Sequence, residues 1–278
     1  MIGAAMAIGA IASVRAAEPA AGLLASPWQT LHAGSRVRLV GVAGSAAGGI
    51  NGGVEIELAE GWKTYWRMPG EAGVPPQFAW DGSGNLSGVQ VSYPAPKRIP
   101  EAGAETIGYK SRVVFPFAAK AAVPGKPVLL KLEAEFGICK EICVPAQANL
   151  VLTLPASARS IPLPAVLAEA LAQVPGPPSP DAKDRPQIVA SEAQFGGAAP
   201  QLVVTARFPP GSEPGDLFIE APESTFVPMT KGGVAKPDGT VVFTSKLTPD
   251  IAKDLKGKAL TLTLVGATGA VETRWHLP

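Results

Sequence analysis

The two cysteines of this 278-residue chain stand four positions apart in Phe136-Gly-Ile-Cys-Lys-Glu-Ile-Cys-Val-Pro145, FGICKEICVP. Thiols at that spacing support three kinds of chemistry: a structural disulfide, a soft-metal clip, or a dithiol that exchanges electrons with other thiols. Strand parity narrows the choice. Val128, Leu130, Leu132, Ala134, Phe136 and Ile138 share one side of a strand, while Lys131, Glu133, Glu135 and Cys139 share the other, so Cys139 is expected on the polar face. After the pair, Val144, Leu150, Leu152 and Leu154 have one parity and Cys143, Gln147, Asn149 and Thr153 the opposite one, which assigns Cys143 to the polar face too. Lys140-Glu141-Ile142 then reads as a three-residue hairpin loop, with the cysteines as its closing pair. Cross-strand Cβ atoms lie about 4.5–5.5 Å apart, slightly wide for a relaxed disulfide, so a bond there is expected to be strained.

Loop arithmetic argues against a staple. Closing so short a loop is worth roughly 2 kcal/mol, against roughly 4 for a bridge between distant strands. Exposed, strained sulfurs suit exchange. Lys140 favours a thiolate at Cys139 and Glu141 opposes it, which leaves the attacking sulfur open. Zinc lacks two of its four ligands, because His32 and His276 are remote in sequence. Two-coordinate Cu(I) stays open, as does a structural disulfide, although Met68 and Met229 are isolated and form no Met-rich copper motif. Glu133 and Glu135 read as a solvated strand face.

The surrounding elements must hold this hairpin. With 29 Pro, 31 Gly and three Tyr, the chain is turn-rich and expected to be all-β. Its 24 basic and 23 acidic residues nearly cancel, which gives no electrostatic reason for nucleic acid or an anionic membrane surface as partner. MIGAAMAIGAIASVRA, residues 1–16, reads as a signal peptide, and no later run approaches the ~18 apolar residues of a span, so an integral membrane protein is not expected. Strands are predicted at Arg36–Val42, Val54–Leu58, Val89–Tyr93, Val113–Phe117, Val128–Ile138 and Val144–Leu154. GWKTYWRMPGEAGVPPQFAW reads as irregular, with Trp62, Tyr65, Trp66 and Trp80 packed at the end of a sandwich and Arg67 paired with Glu71. Leu163, Val166, Leu167, Ala170, Leu171 and Val174 predict a short helix, ended by the Pro-rich VPGPPSPDAKDRP, a semi-rigid spacer. Strands return at Gln201–Phe208, Leu217–Glu220, Val241–Ser245, Leu260–Val265 and Val271–His276. The expected organisation is therefore residues 17–158, a β-sandwich domain; 159–186, helix and linker; and 187–278, a second small β-sandwich-like domain.

FGICKEICVP, the upstream GWKTYWRMPGEAGVPPQFAW, and VSYPAPKR and IGYKSRVVFPF between them resemble the periplasmic N-terminal domain of the DsbD family of thiol:disulfide interchange proteins. The match is closer to its ScsB branch, the suppressor-of-copper-sensitivity type, and covers roughly residues 34–155. That resemblance implies an immunoglobulin-like sandwich, a periplasmic location, and a redox pair, Cys139 and Cys143, that cycles between dithiol and disulfide with no other cofactor. It implies a thioredoxin-like domain or membrane electron-transfer protein as donor and a periplasmic disulfide oxidoreductase as acceptor. A cap loop over the pair would fall within Pro100–Tyr109, with Glu105, Ile107 and Tyr109 as its candidate residues and Ile107 or Tyr109 as the covering side chain. The sequence contains neither the membrane nor the thioredoxin-like domain of full-length members, so a separate protein is expected to supply electrons. The alternative is a non-catalytic module that handles Cu(I), or an adaptor with a structural disulfide.

Overall fold

A computed structural model describes residues 22–278, except 43, 44, 46, 71, 102, 103, 158–160, 180, 198, 223, 224 and 226. The signal-peptide segment and Glu71 lie outside the described residues. The first half contains β1 (Leu24–Ala25), β2 (Gln29–Thr30), β3 (Arg36–Gly41), β4 (Gly49–Glu57), β5 (Lys63–Gly70) and β6 (Gln77–Ala79). It continues with β7 (Leu86–Val91), β8 (Lys97–Glu101), β9 (Ala104–Lys110), β10 (Arg112–Ala121), β11 (Val128–Cys139) and β12 (Cys143–Leu154). One sheet has the order β1-β3-β4-β10-β7 with β2 on β3, and the other β12-β11-β5-β9-β8 with β6 on β11. This is an immunoglobulin-like sandwich. The alternating apolar side of β11, Val128 through Ile138, faces Val37, Leu39, Val54, Ile56, Phe115 and Phe117 of the opposite sheet in one buried cluster.

β5 corrects the sequence reading. Lys63-Thr-Tyr-Trp66 is buried on both faces, so it carries no hydrophobic alternation and looks irregular, yet it pairs with β9 along one edge and the end of β11 along the other. The short helix α1 (Ala165–Ala172) lays Leu167 and Ala170 on Val40, Val42 and Val114, covering the outer face of the first sheet. The Pro-rich segment after it is docked rather than spaced away. Gly176 donates its N–H to the carbonyl of Ala270 and accepts from the N–H of Glu272.

The second half adds β13 (Gln187–Gln194), β14 (Gln201–Arg207), β15 (Asp216–Glu220), β16 (Val234–Ala235), β17 (Thr240–Lys246), α2 (Pro249–Leu255), β18 (Ala259–Gly266) and β19 (Gly269–His276). Sheets β13-β14-β17-β16 and β15-β18-β19 enclose a second apolar cluster. Strand β15 serves both cores through its alternation: Leu217 and Ile219 enter the second cluster, while Phe218 enters the first against Trp66. On either side of Phe218, Asp216 pairs with Arg98 at 3.0 Å and Glu220 with Arg67 at 2.7 Å. Glu272 also binds Arg67, so the guanidinium spans two carboxylates of the second half.

Candidate active site

β11 and β12 meet in the register that the spacing implies, with Cys139 opposite Cys143 and residues 140–142 closing the turn. The sulfurs are bonded and the Cα atoms are 4.2 Å apart, a close cross-strand pair. Their environments differ. Cys143 is exposed, but Cys139 is only 4 % exposed, which corrects the expectation of two outward sulfurs. Parity had assigned the right side of the sheet, but a side is wet only where nothing else covers it.

The cover comes from segments remote in sequence. β5 runs beside the end of β11, placing Thr64 opposite Ile138 and Lys63 opposite Cys139, and the Thr64 hydroxyl donates to the Gly137 carbonyl at 2.8 Å. One residue further, β5 parts from β11 and Gly137 donates its N–H to the Val74 carbonyl at 3.1 Å. The ring of Tyr65 fills the gap. It lies against Gly137 on one side and Gly73 on the other; a Cβ would stand 2.9 Å from the ring at residue 137 and 2.4 Å at residue 73. Gly73 also has φ +133°, a conformation that side chains disfavour. From this slot the Tyr65 hydroxyl reaches Cys143 Sγ at 2.9 Å. A disulfide sulfur has no proton, so the phenol donates. Burial raises the phenol's pKa above its usual value, which keeps that donor protonated.

Across the sheet, Cys143, Cys139, Lys63 and Lys110 are consecutive cross-strand partners and so rise from the same face. Lys63 is 3 % exposed, and burial together with neighbouring Lys110 pulls its ammonium pKa below the usual value. At the hairpin tip, Ile142 is 76 % exposed. Beside it a cavity of about 480 Å³ is lined by His32, Trp62, Lys140, Glu141, Ile142 and Val144, with the His32 and Trp62 rings 5.2 Å apart.

The candidate cap residues are placed differently. β8 and β9 pair antiparallel, and Tyr109 of β9 is opposite Thr64 and so shares the core-facing side of the sheet. Ile107 and Tyr109 are buried in the sandwich core, where Tyr109 donates to the Pro94 carbonyl at 2.8 Å, and Glu105 pairs with Arg98 at 2.7 Å. The side chain held against a sulfur is Tyr65, one of the aromatics read as packing at the end of the sandwich. Glu133 and Glu135 are exposed as expected, Glu135 accepting from Gln147. Among the described residues no three His, Cys, Asp or Glu side chains cluster as a metal site.

A redox-capable cysteine pair at the mouth of a hairpin in an immunoglobulin-like sandwich defines an N-terminal domain of the thiol:disulfide interchange class. Residues 39–155 match the family described as "Thiol:disulfide interchange protein DsbD, N-terminal", and this part of the chain belongs to it. Residues 173–277 match a Domain of unknown function (DUF8393). The fold of the whole chain is similar to that of the N-terminal periplasmic domain of ScsB from Proteus mirabilis, with TM-score 0.69 and 23% identity over 91% of this chain and 98% of that one. No curated protein matches the chain. Among the described residues no helix is long and apolar enough to cross a membrane.

Proposed function

We propose that this chain passes electrons by thiol:disulfide exchange in the periplasm, between a thioredoxin-like or membrane-linked donor and a periplasmic disulfide oxidoreductase. The observation that carries this reading is the asymmetry of the pair: an exposed Cys143, hydrogen-bonded by Tyr65, is bonded to a buried Cys139. Cys143 is the sulfur that partners meet. A donor thiolate attacks Cys143 Sγ, a mixed disulfide forms, and the Cys139–Cys143 bond breaks with its electron pair leaving on Cys139. The donor's second thiolate then attacks its own sulfur in the mixed disulfide. Cys143 departs as a thiolate, the donor keeps a disulfide, and two electrons have entered the pair.

Delivery runs in reverse. The Cys143 thiolate attacks the acceptor disulfide, and Cys139 resolves the mixed disulfide by attacking Cys143 Sγ, leaving the acceptor as a dithiol once protons are taken from solvent. In this reading residues 17–158 form the redox domain, 159–186 the helix and linker, and 187–278 a second β domain packed against the first.

The test is trapping together with a potential. With a thioredoxin-fold partner, the Cys139→Ala variant, which keeps the exposed thiol, should form a mixed disulfide and Cys143→Ala should not. A potential below about −300 mV, the range of inert structural bridges, with no adduct from either variant, would overturn the proposal. Stoichiometric Cu(I) binding by the reduced chain with no adduct would favour the metal-handling alternative instead.

A further inference from the structure

β12 is the outer strand of its sheet, with β11 on one side and no strand on the other. Which backbone groups it turns to that open edge follows from the pairing. In an antiparallel ladder, residues of a non-hydrogen-bonded pair have Cα atoms about 4.5 Å apart and aim their N–H and C=O away from each other. Cys139 and Cys143, with Cα atoms at 4.2 Å, are such a pair. Their neighbours agree. Gly137, opposite Pro145, directs its N–H to Val74 and its C=O to the Thr64 hydroxyl, both on the side of β11 away from β12. On β12, the Asn149 N–H donates to the Gln29 side chain and the Gln147 C=O accepts from it, both on the open side. Pro145, which has no N–H to offer a ladder, fits the same outward row. The N–H and C=O of Cys143 therefore point out of the sheet beside the sulfur that a partner must reach, and among the described residues nothing bonds them.

We propose that the backbone of Cys143 docks an extended segment of the thiol partner, which adds to the edge of β12 as a short antiparallel strand. The segment exchanges two hydrogen bonds with the Cys143 N–H and C=O and so brings the partner's neighbouring sulfur onto Cys143 Sγ. The inference rests on the exchange reading above and says how that partner is held. The exposed sulfur and the open backbone pair belong to one residue, so a chain that reaches the first lies against the second. The edge admits only a short segment. The outward row lacks a donor at Pro145, and at Gln147 and Asn149 the Gln29 side chain of β2 already occupies the place of a strand. A long strand, such as β12 of a second copy, would meet that plug; a projecting loop would not. Ile142 and Val144 flank Cys143, and the cavity that they line with His32 and Trp62 takes an apolar side chain of the same segment.

The test uses the full chain with Cys139→Ala, or Cys139→Ser should the first not fold, grown on nitrogen-15 cysteine so that Cys143 is the single labelled amide. A thioredoxin with one active-site cysteine, activated as its thionitrobenzoate disulfide, is joined to Cys143: the Cys143 thiolate attacks the thioredoxin sulfur and expels thionitrobenzoate. Cystamine in parallel gives a cysteamine adduct, which has no backbone to offer. The Cys143 amide should exchange with deuterium about tenfold more slowly in the thioredoxin adduct than in the cysteamine adduct. Equal rates in the two adducts would overturn the proposal and leave the exchange reading standing. If the unmodified chain exchanges electrons with no thioredoxin-fold protein while the activated adduct is protected, the exchange reading fails and the edge pairing stands. No adduct even with activated thioredoxin refutes both. Protection in the free chain that fades on dilution assigns the edge to a second copy and refutes the proposal.

Discussion

Replacing Tyr65 with Phe removes one oxygen from the site and leaves the ring that fills the slot between Gly73 and Gly137. In the disulfide state the hydroxyl donates to a neutral sulfur at 2.9 Å; in the reduced state it donates to a thiolate whenever Cys143 ionises. A hydrogen bond to a charged acceptor contributes about 1.5–3 kcal/mol, against about 0.5–1.5 to a neutral one. The difference between the two is about 1–1.5 kcal/mol. At about 1.4 kcal/mol per tenfold, Tyr65→Phe should reduce the acidity constant of the Cys143 thiol roughly tenfold. The assay is the pH dependence of alkylation by iodoacetamide in a Cys139→Ala background, with the far-ultraviolet spectrum as a folding control. Burial raises the pKa of Tyr65, so its proton stays in place while the thiol titrates, and the two profiles should differ by a shifted midpoint that closes at the alkaline plateau, where both thiols are ionised. Superimposable alkylation profiles in two folded proteins would refute a role for the phenol beyond packing.

Two further expectations concern the supports of the site. Gly137→Ala places a Cβ 2.9 Å from Tyr65 and 3.2 Å from the Val74 side chain, so it should cost about 1–3 kcal/mol by overpacking and speed alkylation of Cys139 in a Cys143→Ala background; a melt like that of the parent would contradict this close fit. Phe218→Ala empties a buried position that the second half fills in the core of the first, and should lower stability by about 3–5 kcal/mol while splitting one calorimetric transition into two. A single unshifted transition would show that β15 does not couple the two halves.

The sequence by itself determined the hairpin, its register and its core face. Those features depend on residues adjacent along the chain: the period of two from Val128 to Ile138, the apolar parity after Cys143, and a loop too short to close any other way. It also carried the likeness to the interchange family and the separation of two β-rich halves around a Pro-rich stretch. Local signals for α2 were present too, since Thr248 caps the helix by accepting from the Ile251 N–H and Pro249 follows it, but seven residues give too little periodicity to stand out.

Only the tertiary structure decided which sulfur is wet. Cys139 and Cys143 have equivalent parity, and the difference between them comes from Lys63, Tyr65 and Val74, some 65 to 75 residues earlier in the chain. β5 could not be recognised as a strand because both its faces are buried, and its residues could not be tied to the cysteines because cross-strand pairing over such separations leaves no periodic trace. The same limit misplaced the cap. The cap loop was expected within residues 100–109 with Tyr109 as one covering candidate, but pairing of Tyr109 with Thr64 turns that side chain to the far side of the sheet. Alternation along a strand tells which residues share a face; what that face meets is set by the partners that folding brings to it.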